Sequence, residues 1–286
     1  MSSSSQIDTD KAQVLSAVDD FHQYFSVPPP FTNGSSITLP NGIIIVPLPP
    51  EMGGLKIESF NEMYERVSGF LASRYESGMK SFSHQLAEPK EEIWVSGNIA
   101  AVFVGWSATI DGNGLAHSTN ICTLHRLAND STTGNPWRLS GLVNMTNRQI
   151  DNPIPPVETG PLSEIIAPYE AFIAHIKARD WDAIPSLLLP GSGATVSKGP
   201  EAPDTLMWPE YTQRLRNEIE SGAVVEKKLL NCEGRRCGDL AFVWAPFVLH
   251  LASDENMHGV TVCSFRLEGE RWLIAGLQES TWRFRD

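Results

Sequence analysis

HSTNICTLHRL, His117 to Leu127, has the pattern of a strand, with Thr, Ile and Cys in alternation and a His at each end of the motif. Near the C-terminus the chain writes HGVTVCSFRL, His258 to Leu267. The two are copies. Sliding the chain by 141 residues, the spacing from His117 to His258, also lays GNIAAVFVGW (Gly97 to Trp106) on GDLAFVWAPF (Gly238 to Phe247) without a gap. Cys122 then meets Cys263, and Trp106 meets Phe247. Beyond Leu127 the offset shortens by six, because the first copy has the longer loop NDSTTGNP. There PWRLSGLVNMTNR, Pro136 to Arg148, falls on ERWLIAGLQESTWR, with Trp137 opposite Trp272. Three strand-like segments recur in order. A period of about half the chain means a duplicated domain, not a solenoid.

Length agrees: 286 residues suggest about two domains. With 41% hydrophobic and 20% charged residues, each half can bury a core. A net charge of -12 with no basic stripe sets the chain against nucleic acid, whose phosphates would repel it. No apolar run approaches the length of a membrane span, so no membrane partner is expected. MSSSSQIDTDKAQ lacks the basic start and apolar core of a secretory signal. Residues 1–11 are taken as a disordered polar tail, and the cytoplasm as the location. In that reducing setting the four cysteines are expected to be free thiols. Cys232 and Cys237 flank EGRR in what looks like a hairpin, where facing positions can reach disulfide distance. The sequons at Asn33, Asn129 and Asn144 are then chance.

Periodicity gives the elements. Val14, Val18, Phe21 and Phe25 fall on one helical face, and VPPP ends that helix. Two short extended pieces surround the Asn41-Gly42 turn. Ser59 to Leu71 is a helix, with Ser59 as N-cap and Glu62 in the capping-box position. Strands follow over Ser81–Leu86, Glu91–Ser96, Ile99–Ile110, His117–Leu127 and Trp137–Thr146, with DGNG (Asp111 to Gly114) as a tight turn. The proline-rich stretch 151–163 is the linker. The same programme then restarts with a helix carrying Ile165, Tyr169, Phe172, Ile173 and Ile176. A helix over Met207–Glu220 places Tyr211 in the part of Tyr64, and strands run from Val224 onward. The domains are therefore 12–150, with an insertion at 34–55, and 164–286. The class is α+β: a curved antiparallel sheet wrapped on helices, twice.

These residues resemble a known family. "ARDWDAIPSLL", "WPEYTQRL" and "RWLIAGLQESTW" in the second half, and "PWRLSGLVNMTNR" with the long hairpin in the first, are similar to the nuclear transport factor 2-like cone fold. That fold includes ketosteroid isomerase, scytalone dehydratase and SnoaL-like polyketide cyclases. The resemblance covers nearly the whole chain outside the tail and linker. It implies two tandem cone-shaped α+β barrels in a pseudo-dimeric arrangement, the halves pairing within the chain, with a further homodimer open. Ile99–Ile110 and Leu240–Leu251 are apolar on nearly every residue, as strands covered on both faces are. The fold hosts dehydratases, isomerases, cyclases, transport adaptors and assembly domains, so it does not pick a reaction.

A cone encloses an apolar pocket where a few polar groups do the chemistry. Cys263, Phe265 and Leu267 share the more apolar strand face, taken as concave. Mapped back, that face presents Asn120, Cys122 and Leu124, so Asn120 points inward or bonds a neighbouring loop. His117 and His258 fall on the opposite face, where packing is the better reading than catalysis. His22, one residue past Phe21, can reach the cone mouth, and His175 holds a similar place after Phe172. Asn144 faces Glu279 across the alignment. It follows the Gly of W-x-x-x-G, where a bulge could re-aim a side chain. Candidate catalytic residues are His22, Tyr64, Asn120 and Asn144. Candidate binding residues are Tyr24, Phe103, Trp106, His175, Tyr211 and Trp244; each aromatic has plain core packing as its alternative. The extra segment over Gly34–Leu55 could act as a lid.

No H-x-x-x-H pair, Cys/His cluster, phosphate loop or nucleophile elbow is present in the sequence. The resemblance and these absences imply chemistry without a cofactor or metal. The preferred reading is a cofactor-independent cyclase or isomerase, pericyclic or dehydrating. It would act on a hydrophobic polyketide- or terpenoid-like molecule of specialised metabolism. The absence of an Asp-His pair weakens dehydration. The alternatives are a small-molecule binding or transport protein and a protein-interaction module.

Overall fold

The computed structural model describes residues 4–31, 34–48, 53–127, 134–160, 162–198, 202–222, 224–253 and 256–283. The chain divides into two compact units, the first running to Pro156 and the second from Val157, with the turn Ser96–Ile99 grouped with the second. In the first unit α1 (Ser4–Gln23) leads to β1 (Thr38–Pro47), β2 (Leu55–Ser59) and α2 (Phe60–Glu76). Then come β3 (Phe82–Ser96), β4 (Ile99–Ile110), β5 (Asn113–Arg126), β6 (Trp137–Asn144) and the short β7 (Arg148–Gln149). The sheet order is β2-β1-β6-β5-β4-β3, with β7 on β5. In the second unit β8 (Val157–Gly160) precedes α3 (Ser163–Ala178), β9 (Leu188–Lys198), β10 (Asp204–Met207) and α4 (Trp208–Glu220). The chain closes with β11 (Val224–Leu229), β12 (Glu233–Cys237), β13 (Leu240–Leu251), β14 (Asn256–Glu268) and β15 (Arg271–Arg283). That sheet runs β10-β9-β15-β14-β13-β12-β8, with β11 also on β13. Each unit is α+β, two helices on one mixed sheet, as the repeat requires.

The helices sit where their apolar stripes demand. Val14, Val18, Phe21 and Phe25 join Phe60, Cys122, Leu124, Trp137 and Leu139 in one buried cluster. Ile165, Tyr169 and Phe172 of α3 do the same with Trp208, Cys263 and Phe265. Ser59 caps α2: its hydroxyl accepts from the Glu62 N–H at 3.2 Å, and the Glu62 carboxylate accepts from the Ser59 N–H at 2.7 Å. Asp111 (φ 51°) and Gly112 (φ 77°) are both left-handed, which lets the β4–β5 turn follow the strand twist.

The last long strand of each unit carries one extra residue. Pairing of β5 with β6 slips between Thr123 and Leu124, leaving Ser140 over. Pairing of β14 with β15 slips between Ser264 and Phe265, leaving Ala275 over. The two positions match in the repeat. The bulge reverses the alternation: Trp137 and Leu139 face the core before it, and Leu142 after it. It also bends the strand. The parallel neighbours are irregular at matching places, between Thr38 and Ile43 on β1 and between Leu188 and Gly193 on β9.

Several expectations change. The described part of the segment over Gly34–Leu55 is not an inserted lid: β1 lies inside the sheet, hydrogen-bonded to β2 and β6, and corresponds to β9, while residues 49–52 lie outside the described residues. LPNG and LPGS are the matching sequences, and Asn41-Gly42 lies within β1, not in a hairpin turn. The strands read over Ser81–Leu86 and Glu91–Ser96 are one, β3, although its counterpart stays broken as β11 and β12. From Ser4 onward the expected disordered tail is helix α1, whose buried Asp10 pairs with Arg126; residues 1–3 lie outside the described residues. Part of the linker is structured: β8 pairs with β12. Cys232 precedes β12 and Cys237 is its last residue, so EGRR is strand, not turn, and the two cysteines do not form a disulfide.

Close approach confines several glycines, Gly105 among them. A Cβ on Gly105 would lie 1.9 Å from the Glu88 carbonyl oxygen, whereas one on Gly276 would meet nothing within 4 Å. Gly105→Ala is expected to lower stability by about 2 kcal/mol or more, and Gly276→Ala to change it by less than about 1 kcal/mol. Urea unfolding of the two variants checks the contrast, and equal midpoints would refute it.

Candidate functional site

A cavity of about 280 Å³ lies between α1, α2 and the sheet of the first unit. Phe21, Phe25, Ile44, Met63 and Leu142 supply apolar wall. Polar side chains also line it: His22 from α1, His84 from β3, Asn120 from β5 and Asn144 from β6, with Asn147 beyond β6. At the rim Arg66 is held by a bidentate pairing with Glu58. Phe70 and Leu115 also border the cavity, and each is 49% exposed.

The polar groups are joined. His22 Nδ1 lies 3.4 Å from His84 Nε2, and His22 Nε2 lies 3.3 Å from Asn120 Nδ2. Asn120 and Asn144 face each other across β5 and β6. The Trp106 indole N–H donates to Asn144 Oδ1 at 3.3 Å. The His84 ring packs edge-on against both His22 and Trp106, each with centroids 4.6 Å apart. Asn120 Oδ1 is buried with no partner among the described residues.

Burial sets the protonation states. It holds the His22 imidazole well below its usual pKa, and the nearby His84 pushes the same way. Burial also brings His84 down to about 4. Near neutral pH both rings are uncharged, and each has one N–H and one bare nitrogen. The chain of contacts therefore has a direction. If the Asn120 amide donates to His22 Nε2, then His22 Nδ1–H donates to His84 Nε2, and His84 carries its own proton on Nδ1. Turning the Asn120 amide over reverses both bonds and leaves Nδ1 bare. The arrangement is a two-way hydrogen-bond relay ending at the cavity wall. Among the described residues no three His, Cys, Asp or Glu side chains gather so as to hold a metal ion.

The structure brings His22, Asn120, Asn144 and Trp106 to one cavity. It places the other expected residues elsewhere. Tyr64 packs behind the wall on Phe21, Tyr24 and Phe25, its hydroxyl buried. Tyr24 belongs to that same aromatic group. Phe103 and Trp244 are equivalent in the repeat, and both alternate away from the inward residues of β4 and β13. His175 is not the counterpart of His22. Aligning the buried stripes of α1 and α3 puts Ile173 there, while His175 sits near the surface with Nδ1 3.0 Å from Asp180. Tyr211 borders separate cavities in the second unit, and the helix caps align it with Met63 rather than Tyr64.

His84 was not among the expected residues. Its signal was available: Phe82 and Leu86, two residues to either side, pack on the core, so His84 shares their inward face.

No family model matches the chain, and no curated protein matches it. Solved structures do match, each over about one half. A protein of unknown function with a cystatin-like fold from Nostoc punctiforme is 13% identical, covering 42% of this chain and 89% of that one, with a TM-score of 0.34. A nuclear transport factor 2-like protein of unknown function from Pseudomonas putida is 17% identical over 41% and 84%, with a TM-score of 0.34. A nuclear transport factor 2-like superfamily protein from Salmonella enterica is 14% identical over 50% and 95%, with a TM-score of 0.36. The architecture of the two units rests on their own sheets and helices.

The neutral imidazoles have a consequence for stability. An unfolded His titrates near 6.5, and both folded values lie lower. As pH falls the unfolded chain takes up these protons first. Stability from this source is whole above pH 6.5 and is lost on acidification through the window down to about 4 for His84. The loss is on the order of 3 kcal/mol for His84 alone. A His22→Asn/His84→Gln variant should lose stability less steeply than the parent across that window. Urea midpoints measured against pH test this, and parallel curves would contradict it.

Proposed function

We propose that the first unit binds a neutral, hydrophobic, oxygenated small molecule and acts on it as a cofactor-independent cyclase or isomerase. The carrying observation is the uncharged His84–His22–Asn120 chain in the wall of a largely apolar cavity. A base whose pKa is near 4 removes protons slowly, so His84 is better suited to donating than to abstracting. In the direction in which Asn120 donates to His22, His84 carries its proton on Nδ1 and gives that Nδ1–H to a substrate carbonyl. Inside an apolar cavity such a bond counts for more than in water, because no solvent competes. The walls hold the reacting ends of the molecule together, which removes an entropic part of the barrier. Ring closure or a pericyclic shift needs these two contributions. Elimination of water needs a stronger base than this site offers. The exposed Phe70 and Leu115 at the rim extend the apolar surface outward, which favours a substrate longer than the cavity, of polyketide or terpenoid type.

The test is incubation of the purified full chain with a panel of neutral linear polyketide-type ketones and terpenoid enones, followed by chromatography and mass spectrometry. The expected outcome is consumption of one class with a product of unchanged mass and altered retention. His84→Gln should lower kcat by roughly a hundredfold, the scale for losing one transition-state hydrogen bond. Trp106→Ala should raise KM more than it lowers kcat. A compound retained unchanged and released on denaturation makes the unit a binding or transport protein. A panel neither bound nor converted overturns the reading.

A further inference from the structure

The second unit holds its own cavity, built on different chemistry. Two adjoining spaces of about 230 and 90 Å³ share Tyr211, Leu215, Leu249, Glu218 and Glu279 as walls. Lys227 borders the smaller one. Its ammonium donates to Thr261 Oγ1 at 3.0 Å and to Glu279 Oε2 at 2.5 Å. It rests 3.9 Å above the Phe247 ring. The Thr261 hydroxyl donates to Glu279 at 2.8 Å and accepts from the Tyr169 hydroxyl at 2.9 Å. Both Lys227 and Glu279 are mostly buried, their side chains 19% and 17% exposed.

These groups occupy the same stations as the relay of the first unit. Thr261 is the repeat counterpart of Asn120, and Glu279 that of Asn144. Lys227 sits on Phe247 as His84 sits on Trp106, and those two aromatic residues correspond. The stations are shared and the chemistry is not: one unit presents neutral imidazole and amides, the other an ion pair with a hydroxyl.

We propose that the second unit is an independent binding site for a small apolar molecule carrying one neutral oxygen acceptor, a hydroxyl or ketone, and that Lys227 is its donor. An ammonium has three N–H donors; the described contacts give two of them to oxygen acceptors and set the group over the Phe247 ring, so one N–H has no oxygen partner among the described residues. The third is the one directed to the ligand. Leu215, Leu249, Leu251 and Met257 take the apolar body. A charged ligand is disfavoured because the charges bordering the space are already matched, Lys227 with Glu279, and Lys198 and Arg214 with Glu218, so a further charge of either sign would enter unpaired. This site does not rest on the activity proposed for the first unit.

Methyl NMR of the full chain, with Ile, Leu and Met methyls labelled, separates the two cavities. Leu215, Leu249 and Met257 report on the second, and Ile44, Leu142 and Met63 on the first. The probes are 2-naphthol, 2-naphthoate and naphthalene. The first should shift the second-unit methyls and bind about tenfold more tightly than either of the others, the scale of one charge-assisted hydrogen bond. Lys227→Met alone strands a buried carboxylate, so the informative variant is Lys227→Met/Glu279→Leu, which removes both charges. It should cost 2-naphthol about tenfold and leave naphthalene unchanged. First-unit methyls at their parent positions verify folding. Unmoved second-unit methyls, equal binding of 2-naphthoate, or undiminished 2-naphthol binding to the double variant would each overturn the proposal.

Discussion

The extra residue in the last long strand governs what each unit can enclose. Side chains alternate along a strand, so a strand that faced the core with Trp137 and Leu139 would turn Asn144 to the other side. Ser140, unpaired in the ladder, shifts the alternation by one. After it, Leu142 and Asn144 face the cavity. Ala275 does the same for Leu277 and Glu279. The bulge also bends the strand, and a bent sheet leaves room above its concave face where a flat one would press against the helices. Cavity and polar lining thus have one backbone cause. Irregularities at LPNG and LPGS in the parallel neighbours let the adjoining strand follow the bend.

Much of this was legible in the residues. The copied strand pair, the two apolar stripes and the Ser59–Glu62 cap follow from short-range periodicity, which survives into the fold because burial enforces it. The inward aspect of Asn120 followed from comparing the two copies of one strand face. What was not legible depends on distance in space. His84 and His22 are 62 residues apart, and only the packing of α1 on the sheet joins them. The tyrosines misled for a different reason. Tyr64 and Tyr211 look equivalent by residue type, but the capping residues that start each helix set the frame, and in that frame they differ by one position. The segment before α2 looked like an insertion because LPNG and LPGS share little beyond Leu-Pro; their equivalence lies in backbone irregularity.

The cavities also show two ways of keeping polar atoms out of water. In the first unit the cost of burying charge is avoided by keeping both imidazoles neutral. In the second the charges remain but are matched, with a threonine hydroxyl completing the carboxylate's contacts. The first arrangement is soft, since its hydrogen bonds can reverse together. The second is fixed in polarity, since an ammonium only donates.

That the two cones are joined in one chain bears on how they can diverge. Identical subunits that assemble from separate copies receive every substitution twice, so any change in the lining of one cavity is imposed on the other. Here Asn120 and Thr261, or Asn144 and Glu279, are separate positions in one sequence and change singly. The frame that aims them is backbone and apolar packing, and it does not depend on which polar group it carries. Fusion therefore permits asymmetry at fixed one-to-one proportion: two unlike chambers, always made together, each able to be recast without disturbing the other's contents.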